Sequence, residues 1–201
     1  MTARNVLWLG VFLGVFTWSA IDPHVRVTWW LEVLPAVAAL AVLAITRARF
    51  PLSSFLYALI LTHAVILMVG GHYTYAHVPL GEWVQSFMGS NRNDYDKLGH
   101  LAQGFVPAIV ARELFIRHDV LLKRAWMPFL VVCICLAISA FYELVEWWAA
   151  LLSAEAAESF LGTQGYVWDT QSDMMWALVG ALSALTLFSR AHDRSMEKLN
   201  G

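Results

Sequence analysis

The segment WMPFLVVCICLAISAFYELVEWWAAL, residues 126–151, decides the fold. Its only charged side chains are Glu143 and Glu146, both in its second half. A helix of about 20 residues crosses the hydrocarbon layer of a bilayer, so this segment is long enough to span it. Backbone groups in lipid are satisfied within helices or closed barrels, and the segment is too long for a barrel strand. It therefore predicts a transmembrane helix.

Five further apolar segments accompany it. They run over Val6–Ile21, Trp29–Ile45, Leu52–Gly70, Lys97–Ile116 and Ser172–Phe188, and the segment above is Trp126–Leu151. Of the 201 residues, 59% are hydrophobic and 14% are charged, whereas soluble domains carry about 25% charged residues. We therefore predict an all-α fold, a polytopic bundle of six transmembrane helices that forms one integral membrane domain over residues 1–201. A net charge of −2 without a basic stripe argues against nucleic acid as a partner.

Lysine and arginine residues divide unequally between the two sides of this bundle. Ten of the 13 fall on the side of the chain termini, and Arg26, Arg92 and Lys97 fall on the other. Because cytoplasmic connections carry the excess of basic residues, both termini are predicted to face the cytoplasm. The connections predicted to lie outside are 22–28, 71–96 and 152–171. In the second of these, GEWVQSFMG (81–89) has apolar side chains on one helical face, which predicts a short helix on the outer surface.

Ionisable residues gather at the outer ends of the predicted helices. Asp96 and His100 share a face of the fourth helix, because they are four residues apart. Glu143 and Glu146 lie in the outer half of the fifth. At the same level we place Asp169 and Asp173, at the start of the sixth helix, and His72, Asp94 and Lys97. So many carboxylates in a low-dielectric setting must bind a cation, share protons or open onto water.

Some of these residues have a purely structural explanation. Asp94 or Asp96 could cap the fourth helix and Asp169 the sixth, since aspartate is a favoured N-cap. Asp173 lies inside its helix, and acidic residues within a span are functional suspects by default. Other histidines are assigned no role: His63 is interpreted as a satisfied packing residue, and His192 as a loop or surface residue.

Mixed histidine and carboxylate ligands suit a divalent cation such as Zn, Mn, Mg or Ca. The predicted ligands are Asp96, His100, Asp169 and Asp173, and the predicted substrate-binding residues are His72, Asp94 and Lys97. With an open coordination position, such an ion could activate water against a phosphoester or amide of a lipid headgroup. Glu143 or Glu146 would then act as general base. This predicts a metal-dependent enzyme that acts on membrane lipids or lipid-linked envelope material.

Two hypotheses of other classes stay open. Carboxylates and histidines in a membrane also form proton relays and coupling-ion sites in transporters. Against this, transporters often show internal repeats and sites at the midplane, whereas these residues cluster at one edge. Alternatively, the polar cluster holds helices together in a scaffold or binding protein. The sequence does not determine the oligomeric state.

The motifs that carry these residues resemble one protein family. GGHYTYAHVPL (70–80), NDYDKLGHLAQGFVPA (93–108), FYELVEWWAA (141–150) and FLGTQGYVWDTQSDMMWALVGA (160–181) look like those of the YjdF-like bacterial inner membrane proteins, a family of unknown function. This resemblance implies a location in the bacterial inner membrane. It also implies that the residues named above form one site, and it implies no reaction.

A more distant resemblance is carried by shorter patterns. DKLGH (96–100), ELVE (143–146) and DTQSDMMWALVG (169–180) are similar to those of VanZ-like membrane proteins, which are associated with tolerance of glycopeptide antibiotics. The chain departs from that family's pattern at Glu146, where the family has glutamine, and at Ala177, where it has asparagine.

Overall fold

The computed structural model describes residues 3–89, 92–152 and 167–199. Within these ranges the chain forms eight α-helices and no β-strand, which confirms the all-α prediction for this part of the chain. The helices are α1 Ala3–Ala20, α2 Arg26–Thr46, α3 Ser54–Tyr73, α4 Pro79–Met88, α5 Tyr95–Arg117, α6 Met127–Leu152, α7 Asp169–Leu187 and α8 Ser189–Glu197. A 3₁₀ turn, Arg124–Trp126, leads into α6. Most of the third predicted outer connection, over 153–166, lies outside the described residues.

Fewer than six helices meet the length and hydropathy expected of a membrane span. In the described part of the chain, three segments do: Arg26–Thr46, Ser54–Tyr73 and Arg124–Leu151. α7 and α8 meet at a bend of 60° and together make a fourth candidate. The six predicted spans are therefore not confirmed. The physical reason is polarity, since α1 has Arg4 and Asn5 in its first turn and α5 carries charged residues at both ends.

α5 occupies the centre of the bundle, where it packs against α3, α6 and most extensively α7. α2 and α1 pack against α3. One apolar cluster, which includes Leu56, Ile109 and Val131, fills the space around α5. A second, which includes Phe12 and Met68, joins α1, α2 and α3. The apolar side chains thus lie mostly between helices, as the periodic patterns in the sequence require.

Glycines bring α5 and α7 unusually close together. A Cβ at Gly104 would collide with the backbone of Ala177, and a Cβ at Gly180 would collide with the backbone of Leu101. Only a residue without a Cβ permits such an approach. The crossing therefore fixes the distance between the first turns of α5 and α7. We call the end of the bundle where these two helices begin the site end, and the opposite end the basic end.

A buried ion network closes the basic end. The Glu113 carboxylate accepts hydrogen bonds from the backbone N–H of Ser53 at 2.8 Å, from Arg117 at 2.9 Å and from His192 Nε2 at 2.8 Å. Arg112 donates to His192 Nδ1 at 2.9 Å and to Asp193 at 2.7 Å. The interpretation of His192 as a surface residue is wrong, because α8 folds back against α3 and buries this ring completely.

Candidate functional site

A cavity of about 650 Å³ lies between α2, α3, α5 and α6. Its lining changes character along the bundle. At the site end it includes the carboxylates of Asp96, Glu146, Asp169 and Asp173 and the imidazole of His100. Farther along, aliphatic side chains and prolines of the four helices form the walls. Ligand pockets in proteins commonly measure about 300–1,000 Å³, so this volume is that of a binding site.

Three helices bring His100, Glu143 and Asp173 together at the site end. One ligand atom from each residue lies within 4.8 Å of the other two. His100 extends from α5, Glu143 from α6 and Asp173 from α7. His100 is 8% exposed and Asp173 only 4%. We call these three residues the triad; imidazole and carboxylate groups in such an arrangement could hold a divalent ion.

The orientation of His100 is set by its neighbour on the next turn. His100 Nδ1 lies 3.0 Å from Oε1 of Gln103, and this contact between the two side chains fixes the orientation of the ring. The other nitrogen, Nε2, faces Asp173 Oδ2 at 3.6 Å. A bare Nε2 lone pair facing a carboxylate oxygen is repulsive. The pair is satisfied when either a proton or a metal ion lies between the two atoms.

Two buried carboxylate oxygens in the triad lack hydrogen-bond partners among the described residues. They are Asp173 Oδ1 and Glu143 Oε1. An unsatisfied buried polar group costs about 1–3 kcal/mol, and more when it is charged. Native structures rarely leave such groups unpaired, and either a bound cation or a shared proton would satisfy these two oxygens.

A second acidic group lies at the mouth of the cavity, and an arginine pairs with two of its three carboxylates. Asp96, Asp169 and Asp173 also place one oxygen each within 4.8 Å of one another. Arg92 forms ion pairs with Asp96 and with Asp169, the latter at 2.6 Å. Burial opposes the charge of Arg92, and the two carboxylates outweigh that effect, so the net result is a raised pKa. Arg92 thus already supplies a positive charge to this second group, which shares Asp173 with the triad.

The remaining predicted site residues are placed as follows. Asp94 occupies the N-cap position of α5 without a side-chain capping hydrogen bond, and it pairs with Lys97 at 2.6 Å. Glu146 lines the cavity but belongs to neither group of three. His72 does not line the cavity: its Nδ1 contacts the carbonyl of Ser19 at 3.1 Å, and its ring packs on Trp18. Contacts with α1 thus hold His72 away from the other residues.

Sequence reasoning missed Glu32, a buried carboxylate in α2 that is 4% exposed. It accepts a hydrogen bond from the Tyr142 hydroxyl at 2.9 Å and lines the same cavity as His100 and Asp173 of the triad. A signal was present, because Glu32 is the lone acidic residue within the second apolar segment, and such residues are functional suspects. Tyr142 is also 6.5 Å from His100, measured between ring centroids, so it links the two carboxylate regions.

The structure also adds Tyr75, which follows α3 with a left-handed backbone at φ 53°. Its ring lies against Gly70 and Gly99, where a Cβ on either glycine would crowd it. Burial raises the pKa of the Tyr75 hydroxyl well above its usual range, as does the nearby charge of Glu32. The hydroxyl therefore stays protonated and hydrogen-bonds Glu32. The segment GGHYTYAHVPL places Tyr75 at the level of the site, but the sequence does not predict its contact with Glu32, which joins residues far apart in the chain.

His63 differs from its interpretation as a satisfied packing residue. It lines the cavity, and its Nε2 lacks a hydrogen-bond partner within the described part of the chain. This nitrogen is therefore available to a ligand in the cavity.

Comparison with known proteins agrees with the membrane assignment. Residues 4–194 match the family described as "Predicted membrane protein (DUF2238)". The chain is 50% identical over 184 residues to "Inner membrane protein YjdF" of Escherichia coli strain K12, which covers 92% of this chain and 88% of that protein. No solved structure matches. The similarity to VanZ-like proteins is not among these findings and stays a prediction. The chain belongs to the DUF2238 family of predicted membrane proteins, and the YjdF-like resemblance is confirmed.

Proposed function

We propose that this protein is a multi-pass inner membrane enzyme that uses one divalent metal ion to hydrolyse or transfer a phosphoester or amide of a lipid or lipid-linked substrate. One observation carries the proposal: Asp173 Oδ1 and Glu143 Oε1 are buried without partners beside the imidazole of His100. A cation among these three side chains would satisfy the two oxygens and the Nε2 lone pair together.

The triad's chemistry suits Zn or Mn best among the four metals considered. Imidazole is a preferred ligand of Zn, and carboxylates are preferred by Mn, Mg and Ca. Catalytic Zn sites hold three protein ligands at about 2 Å and leave a fourth position open. Ligand atoms around such an ion lie within about 4 Å of one another. The 4.8 Å limit found here would close to that distance by small side-chain rotations.

Each residue around the triad has a role in this proposal. An ion in the triad would lower the pKa of a bound water to about 7. Because Glu143 serves as a ligand, Glu146, one turn farther along α6, is the carboxylate left to take the proton from that water. Arg92, which pairs with the cavity residues Asp96 and Asp169, and Lys97, in the first turn of α5, would meet an anionic headgroup. Asp94 holds Lys97 in place at 2.6 Å.

The proposed orientation places the site end on the extracytoplasmic side. It rests on the excess of lysine and arginine near the chain termini. In this arrangement α1 and α5 also cross the membrane, so that six helices span it, and α4 lies at the outer interface. The side chains of Trp83 and Phe87 in α4 support this placement, since they are 66% and 82% exposed and stack on each other.

Elemental analysis of purified protein tests the metal directly. We expect about one equivalent of a divalent metal after washing, and its loss in Asp173→Asn and in Glu143→Gln. Glu82→Gln is the matched control, because Glu82 is an exposed carboxylate at the same end of the bundle and belongs to neither acidic group. Equal metal content in all four proteins, or none in the parent, would show that the triad shares a proton or only packs helices.

A transporter is the second candidate function, and one observation favours it. The cavity continues past the polar residues to Thr46 and His118, near the basic end. Its middle is lined by aliphatic residues such as Val110 and Leu43, which cannot relay protons. Proton flux into liposomes that depends on His100 and Asp173 would favour transport over the enzyme. A protein that neither retains metal nor moves protons would be a binding or scaffold protein.

A further inference from the structure

The apolar part of the cavity has no role in the metal chemistry. Protein interiors are close-packed, and voids much larger than a water molecule are rare. Here the cavity of about 650 Å³ extends well beyond the triad, and aliphatic side chains form most of its length. Apolar cavities of this kind stay dry and bind apolar molecules. A hydrocarbon ligand therefore explains this volume better than water does.

The walls of the cavity are two regular helical faces. Along α5 the lining residues recur every three or four positions, from Asp96 through Gln103 and Val110 to Leu114. Along α2 they recur in the same way from Thr28 through Ala39 to Thr46. Positions with this spacing lie on one face of a helix. The cavity is thus a groove that runs along the helices rather than a rounded pocket.

The length of the apolar section matches one leaflet. From Gln103 to Leu114 the helix rises about 16 Å at 1.5 Å per residue. Half of the hydrocarbon core of a bilayer is about 15 Å thick. The section is therefore about as long as an acyl chain that spans one leaflet.

The groove is accessible from the side. Val42 in α2, Leu114 in α5 and Ile138 in α6 all line it, and they are 57%, 37% and 39% exposed. α2 packs against α3, and α6 packs against α5 and α7. The Tyr142–Glu32 hydrogen bond joins α2 to α6 at the polar end of the groove. A chain could therefore enter between α2 and α6 on the apolar side of this contact.

We propose that this groove binds one acyl chain of a membrane phospholipid, whose headgroup lies at the triad. The placement of the headgroup rests on the function proposed above, whereas binding of the chain does not. Glu32 and Tyr142, at the boundary between the polar and apolar sections, are positioning residues that hold the two walls together. The occupant is identified by three features: aliphatic walls, the depth of one leaflet and lateral access from the bilayer.

Photo-crosslinking tests this assignment. The full-length protein is reconstituted in vesicles with a phospholipid that carries a diazirine in one acyl chain. After illumination, we expect adducts at lining residues such as Ala39, Val106 and Val110. The variant Ala39→Trp fills the groove and should lower this labelling several-fold. Ala38→Trp is the matched control. It adds the same bulk at an exposed position of α2 that does not line the groove, so it should leave the labelling unchanged.

Three results would overturn the assignment. One is labelling confined to exposed helix faces in the parent protein, a measurement that does not depend on any variant folding. A second is equal labelling in Ala39→Trp and Ala38→Trp. The third is labelling of the groove by a diazirine-bearing polyprenyl phosphate but not by the phospholipid, which would name a different occupant.

Metal content measured on the same samples separates the two proposals. If both hold, Ala39→Trp keeps the metal and loses the labelling, while Asp173→Asn loses the metal and keeps the labelling. Labelling of the groove in a parent protein without metal would contradict the proposed enzyme and leave the acyl-chain site standing. If the parent protein holds metal but its groove is not labelled, the acyl-chain site is contradicted and the proposed enzyme stands.

Discussion

Gly104 and Gly180 face each other's helices across the α5–α7 crossing, and each lies against a backbone carbonyl of the other helix. This relationship sets the geometry of the site. His100 lies one turn before Gly104 in α5, and Asp173 lies two turns before Gly180 in α7. Separation of the two backbones would therefore move the imidazole away from the carboxylate that it faces.

Substitution of either glycine by alanine should separate the helices. We expect Gly104→Ala or Gly180→Ala to lower the free energy of unfolding by about 1–3 kcal/mol, as overpacking does, and to weaken metal retention. Gly14→Ala is the control, since no atom outside its own helix lies within 4 Å of a Cβ at that position. There alanine should be neutral or stabilising by up to about 1 kcal/mol. Thermal unfolding in detergent measures both, and equal effects at the three sites would contradict this account.

Removal of a triad carboxylate should raise the melting temperature without metal and lower it, relative to the parent protein, when metal is in excess. In chelator-treated protein, Asp173→Asn should raise the melting temperature, because it removes a buried charge beside Glu143. With metal in excess, the parent protein should gain about 2.7 kcal/mol at 100 times the dissociation constant, and Asp173→Asn should gain nothing. The readout is thermal unfolding at several metal concentrations. If added metal does not change the melting temperature of the parent protein, the proposed metal site at the triad is contradicted.

Among the acidic residues at the basic end, Glu113 should be the one whose substitution lowers the free energy of unfolding most. Glu113→Ala leaves Arg117 and His192 without their buried partner, and loss of one member of a buried ion pair costs about 3–5 kcal/mol. Glu197→Gln, a change at an exposed carboxylate nearby, should cost almost nothing. Chemical or thermal unfolding compares the two variants. Because the network is remote from the triad, metal content should be the same in both folded proteins.

Arg92 should stabilise the mouth of the cavity. Arg92→Met leaves Asp96 and Asp169 without their cation, so we expect a loss of about 3 kcal/mol, the range for a broken buried pair. Arg92→Lys should recover only part of this, since an ammonium cannot match the planar guanidinium in pairing two carboxylates. The control Arg124→Met breaks a pair with Asp119 whose side chains are 69% and 83% exposed, and exposed pairs contribute about 0–1 kcal/mol. Similar losses in Arg92→Met and Arg124→Met would refute this role.

The membrane orientation can be tested with single cysteines in a background where Cys133 and Cys135 are serine. A membrane-impermeant thiol reagent added to intact cells should label Glu82→Cys in α4. It should label Asp119→Cys, in the connection between α5 and α6, only after the membrane is opened. The reverse pattern would invert the orientation, and labelling of both in intact cells would exclude an odd number of spans between them.

The helices were predictable because apolar runs and their periodicity are local properties. The segment 126–151 predicts a span, and the structure places a helix there from Met127 to Leu152. The acidic suspects Glu143 and Asp173 could also be found locally, since a charge within an apolar run is unusual wherever the helix packs. Glu32 carries the same local signal and was overlooked.

Which of these residues meet was decided by tertiary structure alone. His72 and His100 look equivalent in sequence, yet contacts with α1 hold His72 apart while the glycine crossing sets His100 against Asp173. His192 resembles a surface residue until α8 folds back and buries it. The apolar groove between α2 and α5 has no local signature, because it arises where the faces of two helices lie apart. Sequence thus determined the helices and their charges, while packing distances, which depend on contacts between remote segments, determined the site.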